Sequence, residues 1–262
     1  MTTVETVRGI VVACRNKGVT EASGRNVLFI HGSGCDYRTW DRQFADLEDG
    51  WNLMAVDLPG HGSSGGCGAG RVCDYAAWIA AFIEEASLRR PVVVGHSLGA
   101  AVVLSLAIEY PHLISAVVPV GGGSRMAVNP AIFDLLTADP AAACSLIAKL
   151  SLFKPLRDSL SPFLVEMFGR GDPSVLAGDL RACDAFDVTG DLSRVVLPVL
   201  AVCGDSDKMT PPSLSRMLAE QIPGARLALI GESGHFPMLE RPTQFNRVLG
   251  DFLGILHSCP EG

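Results

Sequence analysis

Five consecutive residues, Gly95-His96-Ser97-Leu98-Gly99, have types and spacing suited to nucleophilic chemistry. A run of apolar residues typical of a β-strand precedes them at 91–94, and a stretch of helical character follows at 100–110. A serine with glycines two residues before and after it, between a strand and a helix, is typical of a tight turn that exposes one hydroxyl. The pattern predicts that Ser97 is a nucleophile, which then needs a base, an acid and an oxyanion site.

His235 is the best candidate for the base among the six histidines of the chain. It lies in a loop at 231–237, between a predicted strand and the last predicted helix. Such a loop reaches the carboxyl edge of a parallel sheet, toward which the Ser97 turn also points. The other five occupy turns, neighbour the serine or lie near the end of the chain: His31, His61, His96, His112 and His257.

The base needs a carboxylate that fixes its tautomer, and two aspartates follow the apolar run at 199–203. We expect Asp207 to be this acid, with Asp205 as the alternative. An Asp-Ser-Asp sequence is also typical of a solvated turn, which is the expected role of the aspartate that does not contact the histidine. The resulting order along the chain is Ser97, Asp207 and His235.

Two backbone N–H groups are expected to hold the oxyanion. One is that of Leu98, at the start of the helix that follows the serine, where the helix dipole also favours negative charge. The other should come from the turn after the strand at 27–30, where Ser33 is the first choice and Gly34 the alternative. Residues expected to contact a substrate are Gly32, Gly34, His96, Met126, Phe236 and Met238.

Strand and helix patterns alternate along most of the chain. Short, mostly apolar runs at 27–30, 53–56, 92–94, 114–120, 199–203 and 227–230 predict buried strands, and 7–13 predicts another. Apolar residues at three- and four-residue spacing predict a helix at 74–86, and prolines near the starts of 212–221 and 242–256 favour helices there. The alternation predicts an α/β fold with a mostly parallel β-sheet flanked by helices.

The alternation stops between 124 and 193, where four helical pieces occur without a clear strand: 130–137, 141–153, 157–168 and 173–186. An insertion after a strand of such a sheet lies near the edge where ligands bind. We therefore expect a small helical cap at 124–193, over a core formed by 1–123 and 194–262; helices packed on the flank of the sheet are the alternative.

Composition excludes several classes of protein. The net charge of −7 and the lack of a basic run exclude a nucleic-acid binder. The start of the chain lacks the pattern of a signal peptide, and no apolar window is long enough for a membrane span, so a cytoplasmic protein is expected. None of the eight cysteines forms a Cys-x-x-Cys pair, so no zinc site is indicated. We expect reduced thiols in a cytoplasmic protein, although Cys67 and Cys73 flank a glycine-rich loop and could form a bridge. The predicted chemistry of Ser97 and His235 requires no metal and no cofactor.

Taken together, these motifs resemble those of the α/β-hydrolase fold superfamily, in its capped, esterase-like branch. The resemblance covers nearly the whole chain and rests on His31-Gly32-Ser33-Gly34, the segment 57–64, Gly95-His96-Ser97-Leu98-Gly99, the segment 204–207 and Gly234-His235-Phe236. It implies the same triad, with Ser33 as oxyanion donor. Haloalkane dehalogenases and epoxide hydrolases of this fold use an aspartate nucleophile, which Ser97 argues against.

Further departures from the family's motifs narrow the range of reactions expected for this chain. Ring-cleavage C–C hydrolases usually have tryptophan after the histidine, where Phe236 stands, and the perhydrolase branch usually has an aromatic residue at the position of Ser33. The resemblance implies an enzyme that hydrolyses small to medium carboxylic esters, and a monomer or homodimer is expected. Lactone, thioester or C–C bond hydrolysis, and a ligand-binding receptor that retains the triad, are the alternatives.

Overall fold

The computed structural model describes residues 2–7, 10–17, 25–47 and 50–258. Eight strands within these ranges form one sheet in the order β1-β2-β4-β3-β5-β6-β7-β8. The strands are β1 (Thr2–Val7), β2 (Ile10–Lys17), β3 (Asn26–Ile30), β4 (Asn52–Val56), β5 (Val92–His96), β6 (Ala116–Val120), β7 (Leu200–Gly204) and β8 (Arg226–Ile230).

Six of the strands, from β4 to β8 in that order, run parallel to one another, and β2 pairs with β4 in the antiparallel direction. The central strands β5, β6 and β7 are buried along their whole length. Strands that are covered on both faces need apolar side chains on both sides, which explains the unbroken apolar runs in the sequence. The mostly parallel sheet flanked by helices is therefore confirmed.

The first edge of the sheet differs from the prediction. The sequence predicts one strand over 7–13, whereas the structure has two antiparallel strands, β1 and β2, in which Val7 pairs with Ile10. The chain therefore reverses within the predicted strand. Apolar residues on both sides of the reversal make the segment look continuous in the sequence, so hydrophobicity alone predicts a single strand. Residues 8 and 9, within this prediction, lie outside the described residues.

Helices cover the sheet, and three of them begin with the same local signal. Asn129, Asp139 and Asp172 each accept a hydrogen bond from a backbone N–H of the first turn, and a proline follows each cap. The helices are α1 (Asp41–Asp46), α2 (Val72–Glu85), α3 (Leu98–Glu109), α4 (Pro130–Ala138), α5 (Pro140–Ser151), α6 (Arg157–Arg170), α7 (Pro173–Asp184), α8 (Pro212–Gln221), α9 (Pro237–Glu240) and α10 (Pro242–Ser258).

The alternation of side chains along each strand produces two cores. Leu28 and Ile30 of β3 point to the face covered by α2, α3 and α8. Val27 and Phe29 point to the opposite face, which packs against α1 and α10. Both faces of the central part of the sheet are thus covered, and the carboxyl ends of the parallel strands meet at one edge.

The helices α4–α7 form an insertion between β6 and β7, as expected. Leu164, Met167 and Phe168 of α6 are buried in the same cluster as Phe236, close to the carboxyl edge of the sheet. The insertion therefore packs on the loops at that edge. The division of the chain into a core and a cap domain stays a prediction.

Two further observations concern the predicted environment. In the part of the chain that the structure describes, every helix is too short or too polar to reach across a lipid bilayer. The sulfurs of Cys67 and Cys73 are both free thiols, so the bridge considered between them is not formed.

Candidate active site

Ser97 occupies the turn between β5 and α3, with φ 54° and ψ −111°. A positive φ is uncommon for a residue that has a side chain, and such conformations concentrate at functional sites. The flanking glycines are required by close packing. A Cβ on Gly95 would collide with the carbonyl of Gly99, and a Cβ on Gly99 would lie 2.5 Å from the carbonyl oxygen of Ile30. The turn thus has the tight strand–turn–helix geometry expected from the sequence.

Asp207 and His235 are in direct contact. The Nδ1 atom of His235 lies 2.8 Å from Oδ2 of Asp207, and both side chains are buried. Asp205, the alternative acid, is exposed and bonds to the hydroxyl of Ser206 instead. The structure therefore brings one of the two candidate aspartates to the histidine and turns the other toward solvent.

The Asp207 carboxylate is surrounded by donors. Its Oδ1 accepts the backbone N–H groups of Met209 and Thr210, at 2.8 and 3.0 Å, and its Oδ2 accepts the Thr210 hydroxyl at 2.8 Å. Burial raises the pKa of Asp207, but the charge of His235 and these hydrogen bonds outweigh burial, and the pKa is lowered. The carboxylate is therefore held as an anion in one orientation.

A hydrogen bond from a side chain to the backbone connects the segment that carries Ser97 to the loop that carries His235. The Nε2–H of His96, the residue before Ser97, donates to the carbonyl oxygen of His235 at 2.9 Å. Gly121 passes beside the imidazole of His235, since a Cβ on Gly121 would lie 3.1 Å from Nδ1 of that ring. Among the described residues, the Ser97 hydroxyl forms no hydrogen bond with His235. Such bonds are often long in unliganded enzymes and shorten when substrate binds.

His96 itself is a buried, neutral imidazole. Its Nδ1 has no hydrogen-bond partner among the described residues. Burial, and then the charge of His235, hold the pKa of His96 well below its usual value. This side chain therefore orients the His235 backbone and is not suited to exchange protons near neutral pH. Its predicted contact with a substrate stays a prediction.

The loop after β3 passes directly over the serine. A Cβ on Gly32 would lie 3.1 Å from the Cβ of Ser97. The carbonyl of Gly32 accepts hydrogen bonds from Nδ1 of His31, at 2.8 Å, and from the N–H of Cys35, at 3.1 Å. We call the loop formed by residues 31–35 the oxyanion loop, after its predicted role.

The two candidate donors of this loop differ in their partners. The N–H of Gly34 donates to Asp179 at 3.2 Å, whereas the N–H of Ser33 has no acceptor within the described ranges. The N–H of Leu98 is the first of α3, and the first N–H groups of a helix lack partners within the helix. Ser33 and Leu98 thus remain the two N–H groups that fit the prediction.

The remaining predicted substrate contacts do not share one surface. Phe236 is buried against the His96 ring, at a centroid distance of 4.5 Å. Met238 is wholly buried in the core on one face of the sheet, and Met126 in the core on the other face. Gly34 lines a cavity of about 120 Å³ together with Phe168 and other residues of the insertion.

Two histidine side chains at the oxyanion loop have pKa values that are shifted in opposite directions. Burial and the charge of His61 lower the pKa of His31 from 6.5 to about 4. Its Nε2 accepts the Leu58 N–H at 3.0 Å, which requires the neutral form that donates from Nδ1. For His61, burial lowers the pKa, but the hydrogen bond and charge of Asp179 outweigh burial and raise it.

Sequence reasoning missed Asp179, although the sequence contains a signal. Asp179 lies on the apolar stripe of α7, three residues after Leu176 and four before Cys183, and all three are buried. A charged residue at such a position needs a buried partner.

Sequence reasoning also missed Glu240, a buried carboxylate that fixes the histidine loop. It accepts the backbone N–H groups of Gly234 and Phe236, on either side of His235, at 2.9 and 3.1 Å. A third bond, 2.7 Å long, comes from the N–H of Phe153, just after α5. Burial raises the pKa of Glu240, and these bonds act in the opposite direction. The Glu240 side chain thus connects the insertion to the loop that carries His235.

A metal or cofactor site is not evident in this region. Within the described ranges, no three His, Cys, Asp or Glu side chains converge in a way that could hold a metal ion. The arrangement at the edge of the sheet is suited to acyl transfer by the protein's own groups, since the predicted nucleophile, the predicted base with its carboxylate and the predicted backbone donors lie on neighbouring segments.

Comparisons with known proteins agree with this geometry. A family model described as "Alpha/beta hydrolase family" matches residues 27–248. The chain is 30% identical to the dihydrolipoyllysine-residue acetyltransferase component of the acetoin cleaving system of Cupriavidus necator, over 95% of this chain and 68% of that protein.

Two further matches carry the name of an esterase. The pimeloyl-[acyl-carrier protein] methyl ester esterase of Neisseria meningitidis is 28% identical, over 91% of this chain and 80% of that protein. The solved structure of a thermophilic esterase is 30% identical, with a TM-score of 0.86 over 98% of both chains.

Proposed function

The chain belongs to the alpha/beta hydrolase family, and on this premise we propose that it is a serine hydrolase of small to medium carboxylic esters. The observation that supports this most is the 2.8 Å contact between the buried pair Asp207 and His235, on a loop tied to the strained turn of Ser97. The names of the methyl ester esterase and the thermophilic esterase support an ester as the substrate class.

The proposed reaction has two acyl-transfer steps. In the first, Nε2 of His235 takes the hydroxyl proton of Ser97 as the serine oxygen attacks the ester carbonyl carbon. The N–H groups of Leu98 and Ser33 hold the negative oxygen of the tetrahedral intermediate. The C–O bond to the alcohol then breaks, and the alcohol leaves with the proton from His235.

In the second step, water attacks the acyl group on Ser97 while His235 takes a proton from that water. The serine–acyl bond breaks, the proton returns to the serine oxygen, and the carboxylic acid leaves. Asp207 stays ionised throughout and stabilises the imidazolium that forms at each step. The proposed role of α4–α7 is that of a cap, covering 124–193, that shapes the space for the acyl or alcohol group. Cytoplasmic location and a monomeric or homodimeric state stay predictions.

The test is multiple-turnover hydrolysis of p-nitrophenyl acetate and butyrate. The parent chain should release many equivalents of p-nitrophenolate, and Ser97→Ala should lower kcat by about 10⁴ or more because the nucleophile is lost. A receptor would release about one equivalent and then stop. A panel of lactones and thioesters of graded acyl length tests for a lactonase or a thioesterase, since either enzyme should prefer its own substrate class in kcat/KM. A chain that turns over none of these compounds contradicts the proposal.

A further inference from the structure

Asp179, on the inserted helix α7, joins the insertion to three segments of the core. Its Oδ2 accepts the Nε2–H of His61 at 2.8 Å and the N–H of Gly34 at 3.2 Å, and its Oδ1 accepts the Tyr75 hydroxyl at 2.6 Å. Asp179 and Tyr75 are wholly buried, and His61 nearly so. Gly34 belongs to the oxyanion loop, His61 to the turn after β4 and Tyr75 to α2.

The hydrogen bonds around His61 indicate that Asp179 is an anion paired with a cation. Both ring nitrogens of His61 face acceptors, because Nδ1 lies 3.1 Å from the carbonyl oxygen of Pro59 and Nε2 lies 2.8 Å from the carboxylate. An imidazolium can donate to both, whereas a neutral ring leaves one nitrogen lone pair facing an oxygen. A buried carboxylate is tolerated when it is paired and fully hydrogen-bonded, as it is here.

The bond to Gly34 fixes one of the two peptide units that flank Ser33. The other unit, between Gly32 and Ser33, is held at its carbonyl by Nδ1 of His31 and the N–H of Cys35. Because the carbonyl and the N–H of a trans peptide point in opposite directions, holding the Gly32 carbonyl sets the direction of the Ser33 N–H, and holding the Gly34 N–H restricts rotation on the other side of Ser33. The charge of Asp179 makes its bond stronger than that of a neutral acceptor.

Packing from the insertion reinforces this arrangement. Gly34 has φ +64°, and a Cβ there would lie 3.0 Å from Leu176 of α7 and 3.4 Å from Phe168 of α6. The loop is therefore pressed between the sheet and the inserted helices. The carboxylate and this packing both come from the insertion, so the docked α7 stabilises the observed conformation of the loop.

We propose that Asp179 is a positioning residue for the oxyanion loop, and that the docked α7 completes the oxyanion site. This inference rests on the proposed function, because it concerns the N–H of Ser33 during ester hydrolysis. It assigns to the insertion a part in transition-state stabilisation, beyond covering the substrate. A residue with this role affects kcat, whereas a residue needed only for folding affects the fraction of active protein.

The test compares Asp179→Ala and Asp179→Asn with the parent on p-nitrophenyl butyrate. Asp184→Ala is the matched control, because Asp184 lies on the same helix and accepts a backbone N–H, that of Val128 at 2.9 Å, without touching the oxyanion loop. Active sites are counted by titration, so that kcat refers to folded protein. A trifluoromethyl ketone, whose serine adduct carries an oxyanion, reports the oxyanion site directly.

Asp179→Ala should lower kcat by about 10- to 100-fold, since a small misplacement of a catalytic donor has effects of this size. KM should change little, and the inhibition constant of the trifluoromethyl ketone should rise by the same factor as kcat falls. Asp179→Asn should lie between Asp179→Ala and the parent, because its amide oxygen can still accept from Gly34. Asp184→Ala should match the parent in all three quantities.

Other results overturn the inference. If Asp179→Ala keeps the parent's kcat per active site and its inhibition constant, the carboxylate has only a structural role. If Asp179→Ala does not fold, Asp179→Asn and Tyr75→Phe decide, and unchanged kcat in both overturns the proposal. A parent chain that neither hydrolyses esters nor binds the ketone contradicts the proposed function itself, whereas an active parent with unaffected variants contradicts this inference alone.

Discussion

Replacing Asp207 by asparagine should remove nearly all activity, and the structure explains why such a small change has a large effect. Asparagine has one oxygen and one NH₂ group in place of the two carboxylate oxygens. At Oδ1, two backbone N–H groups donate, from Met209 at 2.8 Å and from Thr210 at 3.0 Å, and these donors cannot reverse their direction. The amide oxygen must therefore take the position of Oδ1, and the NH₂ group must face His235.

The magnitude follows from the tautomer that this orientation imposes. An NH₂ group at the position of Oδ2 forces Nδ1 of His235 to accept, so the ring carries its proton on Nε2 and cannot take the proton of Ser97. The opposite orientation leaves two buried N–H groups without acceptors, at about 1–3 kcal/mol each. A wrong tautomer of this kind lowers kcat by about 10⁴, which corresponds to roughly 5 kcal/mol of activation free energy.

The assay is kcat on p-nitrophenyl butyrate near pH 7, with thermal unfolding measured in parallel to verify the fold. Asp205→Asn is the matched control, because Asp205 lies in the same turn but is exposed. This control should stay within about twofold of the parent, as exposed substitutions usually do. A variant Asp207→Asn that keeps a tenth or more of the activity would refute the reasoning, as would an equal loss in Asp205→Asn.

Two further predictions concern stability and the oxyanion loop. Burial raises the pKa of Asp57 from 3.8 to about 6, so its contribution to stability is present below pH 4 and lost as the pH rises through 6. His31, with its pKa lowered from 6.5 to about 4, contributes in the opposite sense: stability that is present above pH 6.5 is lost as the pH falls to 4. The contributions of Asp57 and His31 are each about 3 kcal/mol and nearly cancel in the parent. Because Asp57→Asn removes the first of them, its free energy of unfolding in urea should fall by about 3 kcal/mol relative to the parent between pH 7 and pH 4. A difference between variant and parent that does not change with pH contradicts this prediction. Gly32→Ala should lower kcat by about 10- to 100-fold, because the added Cβ would lie 3.1 Å from that of Ser97. Gly178→Ala is the control and should be neutral, because its added Cβ has open space around it. Equal activities of the two variants would exclude the close approach of the oxyanion loop to Ser97.

The local elements of this fold could be predicted well from sequence, because their signals are local. The predicted helix at 173–186 corresponds to α7 (Pro173–Asp184), where a capping aspartate, a proline and a regular apolar stripe all lie within a few residues. The prediction at 212–221 coincides with α8 (Pro212–Gln221), where a proline at the start of the helix is again a local signal. The hairpin of β1 and β2 was missed because β1 (Thr2–Val7) has few apolar residues and the chain reverses within the predicted run at 7–13.

The predicted site residues could be named from sequence only where a motif fixes their local geometry. Ser97 has such a motif, whereas the choice between Asp205 and Asp207 depends on which side chain the folded turn directs toward His235. The pair of His61 and Asp179 is beyond local reasoning, since the two residues are 118 positions apart and meet only through the docking of α7. Long-range contacts of this kind depend on tertiary packing, which no short motif describes.

Covalent labelling of the nucleophile tests the central proposal most directly. The parent chain is incubated with an alkyl fluorophosphonate, and intact mass followed by peptide mapping locates the adduct. The account predicts one phosphonyl group per chain, attached to Ser97, with loss of esterase activity in proportion to labelling and no adduct in Ser97→Ala. An adduct on a different residue, or esterase activity that survives complete labelling of Ser97, would contradict it.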